Sequence, residues 1–297
     1  MTTLDARVGP NLASGQPPDP VRVARTRAEL EAARRALTGR LVLVPTMGAL
    51  HAGHRALIRA ARTIGDHVVV SIFVNPTQFG PGEDLDRYPR TPLADLEICA
   101  EEDVALVFMP EADEMYRPGL GIRVDGAALA KRLEGAVRPG HFSGVLTVVA
   151  KLFGMIGPDA AVFGEKDYQQ LVLIRAMSRE LALGVEVYGL PTVRDSDGMA
   201  LSSRNRYLDE HQRTVAGALS RALRAGATAA DHGGARALAA AQEVLDAEPE
   251  LGLDYLALTG PDLGPAPKSG PARLLVAGRL ANTRLIDNLP ITLGVDT

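Results

Sequence analysis

The chain has 297 residues, of which 46% are hydrophobic and 23% charged, with a net charge of −4 and a pI of about 5.9. That composition excludes a mostly disordered chain, and the lack of a basic excess, with 4% aromatics and no Trp, argues against a general nucleic-acid binder or a base-stacking platform. At about 150 residues per domain the length predicts one to two domains, enough to bury a core without a disulfide or a structural metal.

The first twenty residues, MTTLDARVGPNLASGQPPDP, are rich in Pro, Gly, Ser and Asn and lack an apolar signal core, so they read as a flexible tail, 1–20. Next, Leu41–Val44 forms a short apolar run ended by Pro45, Gly53–Ile64 a helix, and His67–Val74 a β-branched strand suited to burial on both faces. Pro92–Glu102 reads as a helix, Val104–Met109 as a strand and Gly121–Asp125 as a further short strand. Phe142–Ile156 places its apolar residues at helical spacing, and Lys151 interrupts it as a membrane span. Strand Ala160–Phe163, helix Asp167–Leu183, with Leu171, Ile174 and Leu181 inward, and strand Val185–Leu190 continue the alternation.

That alternation predicts an α/β fold: a Rossmann-like, doubly wound parallel sheet over 21–192. Beyond a hinge near Pro191–Asp197 the texture changes. Helices Asp209–Ala230 and Ala235–Ala247 precede strands Leu253–Leu258, Arg273–Ala277 and Arg284–Leu293, which predicts a second, smaller α+β domain over 193–297 covering a nucleotide site. No internal repeat is visible. The single cysteine, Cys99, lies beside Glu101 and Glu102, which would not lower its pKa; it reads as a small buried side chain in a reducing cytoplasm.

Three segments carry chemistry. In Pro45-Thr46-Met47-Gly48-Ala49-Leu50-His51-Ala52-Gly53-His54, a strand hands over to a helix N-terminus, where backbone N–H groups and the helix dipole favour an anion. His51 and His54 are three residues apart, so both rings can face one phosphate; the bland alternative is a capped, solvated helix start. Placed between strand and helix, the H-x-G-H form is the signature of Rossmann-like nucleotidyl transferases. A zinc site is disfavoured, because no Cys or third His lies nearby. In Phe163-Gly164-Glu165-Lys166-Asp167-Tyr168-Gln169-Gln170, Lys166 suits phosphate and Gly164 or Asp167 a ribose, against the reading of an exposed acidic helix start. In Asp197-Gly198-Met199-Ala200-Leu201-Ser202-Ser203-Arg204-Asn205, two hydroxyls and a guanidinium suit a polyphosphate, against a solvated interdomain loop. Asn75 and Gln78 follow a strand end, where doubly wound sheets bind ligands. Tyr88 reads equally as a cover of the site or as surface packing.

Together the stretches VPTMGALHAGH, SIFVNPTQFGPGEDLDRYPRT, RPGHFSGVLTVVAKLF, FGEKDYQQL and DGMALSSRNRYL resemble the pantoate–β-alanine ligases (pantothenate synthetases) of the H-x-G-H superfamily. Less distinctive likeness continues in RLLVAGRL and TRLIDN. The resemblance implies a two-step ligation through a pantoyl adenylate, releasing pyrophosphate and then AMP, by a cytoplasmic homodimer acting on ATP, pantoate and β-alanine. It further implies that ATP is bound by Met47, Gly48, Ala49, Leu50, His51, Ala52, Gly53 and His54. The same role extends to Gly164, Glu165, Lys166, Asp167, Val193, Leu201, Ser202, Ser203 and Arg204. Catalytic roles fall to His54, His51, Lys166, Ser202, Ser203 and Arg204. Pantoate falls to Gln78, Gln170 and Met47, and β-alanine to Gln78.

Some members of the family carry an acidic run assigned to magnesium, which here reads Leu93-Ala94-Asp95-Leu96. One carboxylate is a poor cage for Mg²⁺, so magnesium is expected mainly on the ATP phosphates, with a protein ligand left open. Competing readings are a nucleotidyltransferase acting on a phosphorylated acceptor, and a nucleotide-binding module that has lost catalysis. A synthetase charging tRNA would need a basic RNA-binding domain, and none is evident.

Overall fold

The computed structural model describes residues 20–117 and 121–294; of the expected N-terminal tail, residues 1–19 lie outside the described residues. The chain divides into two compact units. One holds the described residues up to Glu165 together with Leu173–Pro191; the other holds Lys166–Val172 and the described residues from Thr192 onward.

The first unit contains β1 (Val23–Ala24), α1 (Arg27–Arg34), β2 (Leu41–Thr46), α2 (Ala52–Arg62), β3 (His67–Ile72), α3 (Pro92–Glu101), β4 (Leu106–Phe108), α4 (Ala112–Met115), α5 (Glu134–Val137), α6 (His141–Ile156), β5 (Ala160–Gly164), most of α7 (Tyr168–Glu180) and β6 (Glu186–Leu190). The strands form one parallel sheet in the order β1-β4-β3-β2-β5-β6. From β2 the chain steps through β3 to β4, then returns to the other side of β2 with β5. The C-terminal end of β2 is therefore the switch point of a doubly wound sheet, where such folds bind ligands. Leu41, Val42, Leu43, Val44, Val69 and Val70 are fully buried, as a sheet covered on both faces requires.

Local chemistry explains where the elements stop. β2 runs through Pro45 to Thr46 rather than ending at Pro45: its pairing with β5 stops at Leu43, so the missing proline N–H breaks no ladder bond on that side. α1 is short and mostly polar, burying only Leu30 and Ala33, and Thr26 and Glu29 close a reciprocal capping box that starts it. The short strand expected over 121–125 is not formed. Ile122 is 91% exposed, and the Val124 N–H donates to Thr147 Oγ1 at 2.9 Å instead of to a sheet. Leu181, expected inward, is exposed just beyond the end of α7. Cys99 is buried, and burial foremost pushes its thiol up to about 12.

The second unit packs α8 (Glu210–Ala229) and α9 (Gly234–Asp246) on an antiparallel sheet, β7 (Gly252–Thr259), β8 (Gly270–Leu280) and β9 (Thr283–Leu293), in the order β7-β8-β9. Its own core joins Leu219 and Leu223 of α8 with Leu274, Val276 and Leu285 of the sheet. The whole is an α/β chain: a doubly wound parallel sheet with a smaller α+β unit.

Candidate active site

β2 and β3 run in register from Leu41 opposite His67 to Thr46 opposite Ile72, so the segments that follow them start level. Thr46 Oγ1 ties the two ends together, donating to the Ser71 carbonyl at 2.8 Å and accepting the Gly48 N–H at 3.2 Å. Gly48 (φ 81°) and Ala49 (φ 50°) then turn through the left-handed region, and Ala49 and Leu50 are buried.

His51 is the N-cap of α2. Its Nδ1 accepts the Gly53 N–H at 3.1 Å, and His54 Nδ1 accepts the His51 N–H at 3.2 Å. The two rings lie 4.1 Å apart at 43°. The capping reading and the phosphate reading are therefore compatible. A ring nitrogen that accepts a backbone N–H carries no proton, so each neutral imidazole has its proton on Nε2, a donor away from the cap.

Beyond β3, Asn75 is almost fully buried and fixes the next segment. Its Nδ2 donates to Gln78 Oε1 at 3.0 Å and to the Gly144 carbonyl at 3.2 Å. Its Oδ1 accepts from Tyr116 Oη at 2.8 Å and Thr77 Oγ1 at 2.9 Å. With Oε1 held, Gln78 turns Nε2 to Met47 Sδ, 3.0 Å away. Gly144 has to be glycine, because a Cβ there would sit 2.2 Å from the Thr77 carbonyl. Tyr88 is buried, edge-on to Phe79 at 5.9 Å.

Behind Gln78 lies a charged pair. Arg138 holds Glu83 through two bonds, Nε to Oε1 at 2.7 Å and Nη2 to Oε2 at 2.6 Å. Burial alone would raise the Glu83 carboxyl, but the bonded guanidinium holds it below the usual range. His141 Nδ1 donates to the Gln78 carbonyl at 2.8 Å, and its Nε2 accepts from Arg138 Nη1 at 3.1 Å. Burial, and then the neighbouring Arg138, pushes His141 down to about 4.

In the second unit Lys166 and Ser202 line one recess, with Asn205 and Asp287. Lys166 is fixed through its backbone: its carbonyl accepts Asn288 Nδ2 at 2.7 Å, and Asn288 Oδ1 accepts Arg273 Nε at 2.8 Å and Nη2 at 2.5 Å. The Arg273 guanidinium also lies 3.7 Å over the Tyr168 ring. Ser202 caps the turn Ser203–Tyr207 by accepting the Arg204 N–H at 3.3 Å, which leaves its own hydroxyl proton to donate. The loop before it is a narrow hairpin bridged at Arg194 and Ala200 and pinned by Arg194 on Asp287, at 2.7 and 3.0 Å. The Val193 carbonyl accepts the Leu201 N–H at 3.0 Å. Ser203 and Glu165 are buried and Asp167 is exposed. Gln170 sits in the first turn of α7, within the second unit.

Asp287, Asn288, Arg194 and Arg273 are supporting residues that motif reading passed over. The signal available was TRLIDN: Asp-Asn interrupts an apolar strand, and both residues are buried.

Asp95 is not arranged as a metal ligand. Its Oδ2 accepts the Ala49 N–H at 3.0 Å, and its Oδ1 accepts the Leu50 N–H at 2.8 Å and Thr91 Oγ1 at 3.1 Å. Among the described residues no group of three or more His, Cys, Asp or Glu could hold a metal ion. A protein-held Mg²⁺ does not fit these residues.

Residues 21–290 match the family model for pantoate–β-alanine ligase. A pantothenate synthetase from Mycolicibacterium smegmatis is 58% identical over 271 residues, covering 90% of this chain and 86% of the relative. One from Nocardia farcinica is 54% identical over 290 residues, covering 97% and 91%. Among solved structures, a pantothenate synthetase from Thermus thermophilus superposes with a TM-score of 0.87 at 50% identity, covering 91% of this chain and 99% of that one. The Francisella tularensis pantoate–β-alanine ligase, solved in complex with beta-gamma ATP and β-alanine, gives 0.79 at 33% identity, covering 91% and 97%. The chain belongs to the pantoate–β-alanine ligase family.

Proposed function

We propose that this chain condenses pantoate and β-alanine to pantothenate, with cleavage of ATP to AMP and pyrophosphate. The observation that supports this reading most is the His51–His54 pair, which presents two Nε2–H donors at the switch point of the sheet. In the first step a pantoate carboxylate oxygen bonds to the α-phosphorus of ATP, the bond from that phosphorus to the bridging oxygen breaks, and pyrophosphate leaves. In the second, the β-alanine amine bonds to the acyl carbon of the adenylate, the acyl–oxygen bond breaks, and AMP leaves as the nitrogen gives up a proton. A carboxylate is already a nucleophile, so the first step needs charge stabilisation and alignment more than a base.

The residue roles follow. His54 and His51 donate to phosphate oxygens, and Met47, Gly48, Ala49, Leu50, Ala52 and Gly53 shape the wall against ATP. Lys166, Ser202, Ser203 and Arg204 bind phosphates. Gly164 and Asp167 lie by the ribose and Val193 by the adenine, with Glu165 and Leu201 also in the ATP site. Gln78 and Gln170 take pantoate, Gln78 also β-alanine. Magnesium enters with the ATP phosphates as part of the substrate.

Mass-spectrometric assay of AMP and pantothenate, with each of the three substrates omitted in turn, tests the reading. AMP formed only with all three, together with an amide product, is the expected result. Turnover of a phosphorylated acceptor without amide would overturn it. The family also points to a cytoplasmic homodimer; a monomeric mass by light scattering would remove the dimer.

A further inference from the structure

We propose that Asp95 is a positioning residue for adenylation, holding the loop that delivers His51 and His54. The inference rests on the reading of those two histidines as phosphate donors. Asp95 lies on α3, 1% exposed, and its carboxylate spans the loop rather than facing solvent. Oδ2 accepts the Ala49 N–H and Oδ1 the Leu50 N–H, the last two residues before the N-cap His51. Between them Ala49 sits at φ 50°, a left-handed conformation that costs a non-glycine residue about 1 kcal/mol. That conformation aims two successive N–H groups at one acceptor, and the buried anion is what repays the strain. Gly48, at φ 81°, closes the other side: a Cβ there would lie 3.0 Å from Asp95 Oδ2. Thr91, whose hydroxyl caps no helix, spends it on Asp95 Oδ1.

The carboxylate therefore sets where β2 ends and α2 begins. Since both histidine rings are locked onto the first turn of α2 by their Nδ1 atoms, fixing the loop fixes the direction of both Nε2–H bonds. A bound phosphate needs them to within a few tenths of an ångström. The same acidic position would, in a metal-binding reading, be free to coordinate; here its oxygens are spent on backbone.

The test is Asp95→Asn in the full chain, compared with His54→Ala and the double variant. The amide oxygen can take the place of Oδ1 and keep the Leu50 and Thr91 bonds, but the NH₂ then faces the Ala49 N–H. The expected result is a fall of about 10- to 100-fold in kcat for ATP–pyrophosphate exchange, a pantoate KM within about 2-fold, and no recovery at high Mg²⁺. In the double variant the combined loss should be clearly smaller than the product of the two single losses, because one of the two histidines through which Asp95 acts is already gone. Additive losses, recovery with excess Mg²⁺, or unchanged kcat in Asp95→Asn while His54→Ala is inactive would each overturn the proposal. A fully active His54→Ala would instead overturn the underlying reading of the histidines. If Asp95→Asn does not fold, Thr91→Val takes its place, with the same pattern at smaller amplitude expected; a pantoate KM change without a kcat change would overturn the proposal.

Discussion

His51 and His54 cap one helix turn reciprocally, His51 Nδ1 on the Gly53 N–H at 3.1 Å and His54 Nδ1 on the His51 N–H at 3.2 Å. The sequence Thr-x-x-Glu at α1 makes the same box with a hydroxyl and a carboxylate. What imidazole adds is a second nitrogen on the far side of the ring, the donor proposed above to meet a phosphate oxygen.

This separates two roles that one substitution can distinguish. Asparagine is among the best N-caps, so His51→Asn keeps the helix start but has no donor at the Nε2 position. The expected outcome is a stability within about 1 kcal/mol of the parent, by denaturant titration, and adenylation reduced about 100-fold or more. Loss of stability with proportionate loss of activity would make His51 a cap and nothing else.

Asn288 holds Lys166 through the main chain, its Nδ2 donating to the Lys166 carbonyl. Asn288→Asp retains the acceptor for Arg273 and loses the Nδ2 donor, setting a carboxylate against the Lys166 carbonyl. A rise of about 10-fold in the ATP KM is expected, with a stability loss of about 1–3 kcal/mol because the Lys166 carbonyl then faces a buried acceptor. Asn288→Ala also strips two bonds from the buried Arg273, and thermal unfolding should show a loss of about 2–3 kcal/mol. Equal ATP KM values in Asn288→Asp and the parent would detach Asn288 from the site.

How far the sequence led depended on where the information is stored. The β2–α2 and β3 segments are legible because both sheet faces are buried, which forces the unbroken run VVVSI, and because His-x-x-His needs only local spacing to share a helix turn. The parallel, doubly wound character of the sheet follows from the alternation of strand and helix. Asp95 was not legible in its real role. Its partners, Ala49 and Leu50, are more than forty positions away and use backbone groups, which no side-chain pattern announces. Asn288 is hidden in the same way, since its bond is to the main chain of Lys166. The 121–125 strand failed for the opposite reason: alternating residues suggest an extended chain, but a strand also needs a sheet edge to pair with.

His141 supplies a pH test. Its imidazole is neutral in the fold, pushed down to about 4 by burial and by Arg138, against 6.5 ordinarily. On acidification the unfolded chain takes the proton first. The stability this residue contributes is therefore complete above about pH 6.5 and is lost as the pH falls towards 4, up to about 3 kcal/mol. His141→Gln can still donate to the Gln78 carbonyl and accept from Arg138 without titrating. The stability difference between pH 7 and pH 4.5, by urea titration, should be smaller in the variant. Parallel pH profiles would show that His141 does not resist protonation.

The substrate assignment of Gln78 has an equally local test. Asn75 Nδ2 holds Gln78 Oε1, leaving Nε2 as the group turned to Met47. Gln78→Glu keeps the acceptor that Asn75 requires, so the Tyr116–Asn75 bond stays in place and the segment after β3 keeps its course. What is lost is the donor, and what is gained is a negative charge facing an anionic hydroxy acid. The pantoate KM should rise by about 5- to 150-fold, equivalent to about 1–3 kcal/mol, with the ATP KM little changed. Gln170→Leu, from a separate element, should raise the pantoate KM in the same range if it too takes a polar group of the substrate. Pantoate KM values at the parent level in both variants, at parent stability, would remove the two glutamines from substrate binding.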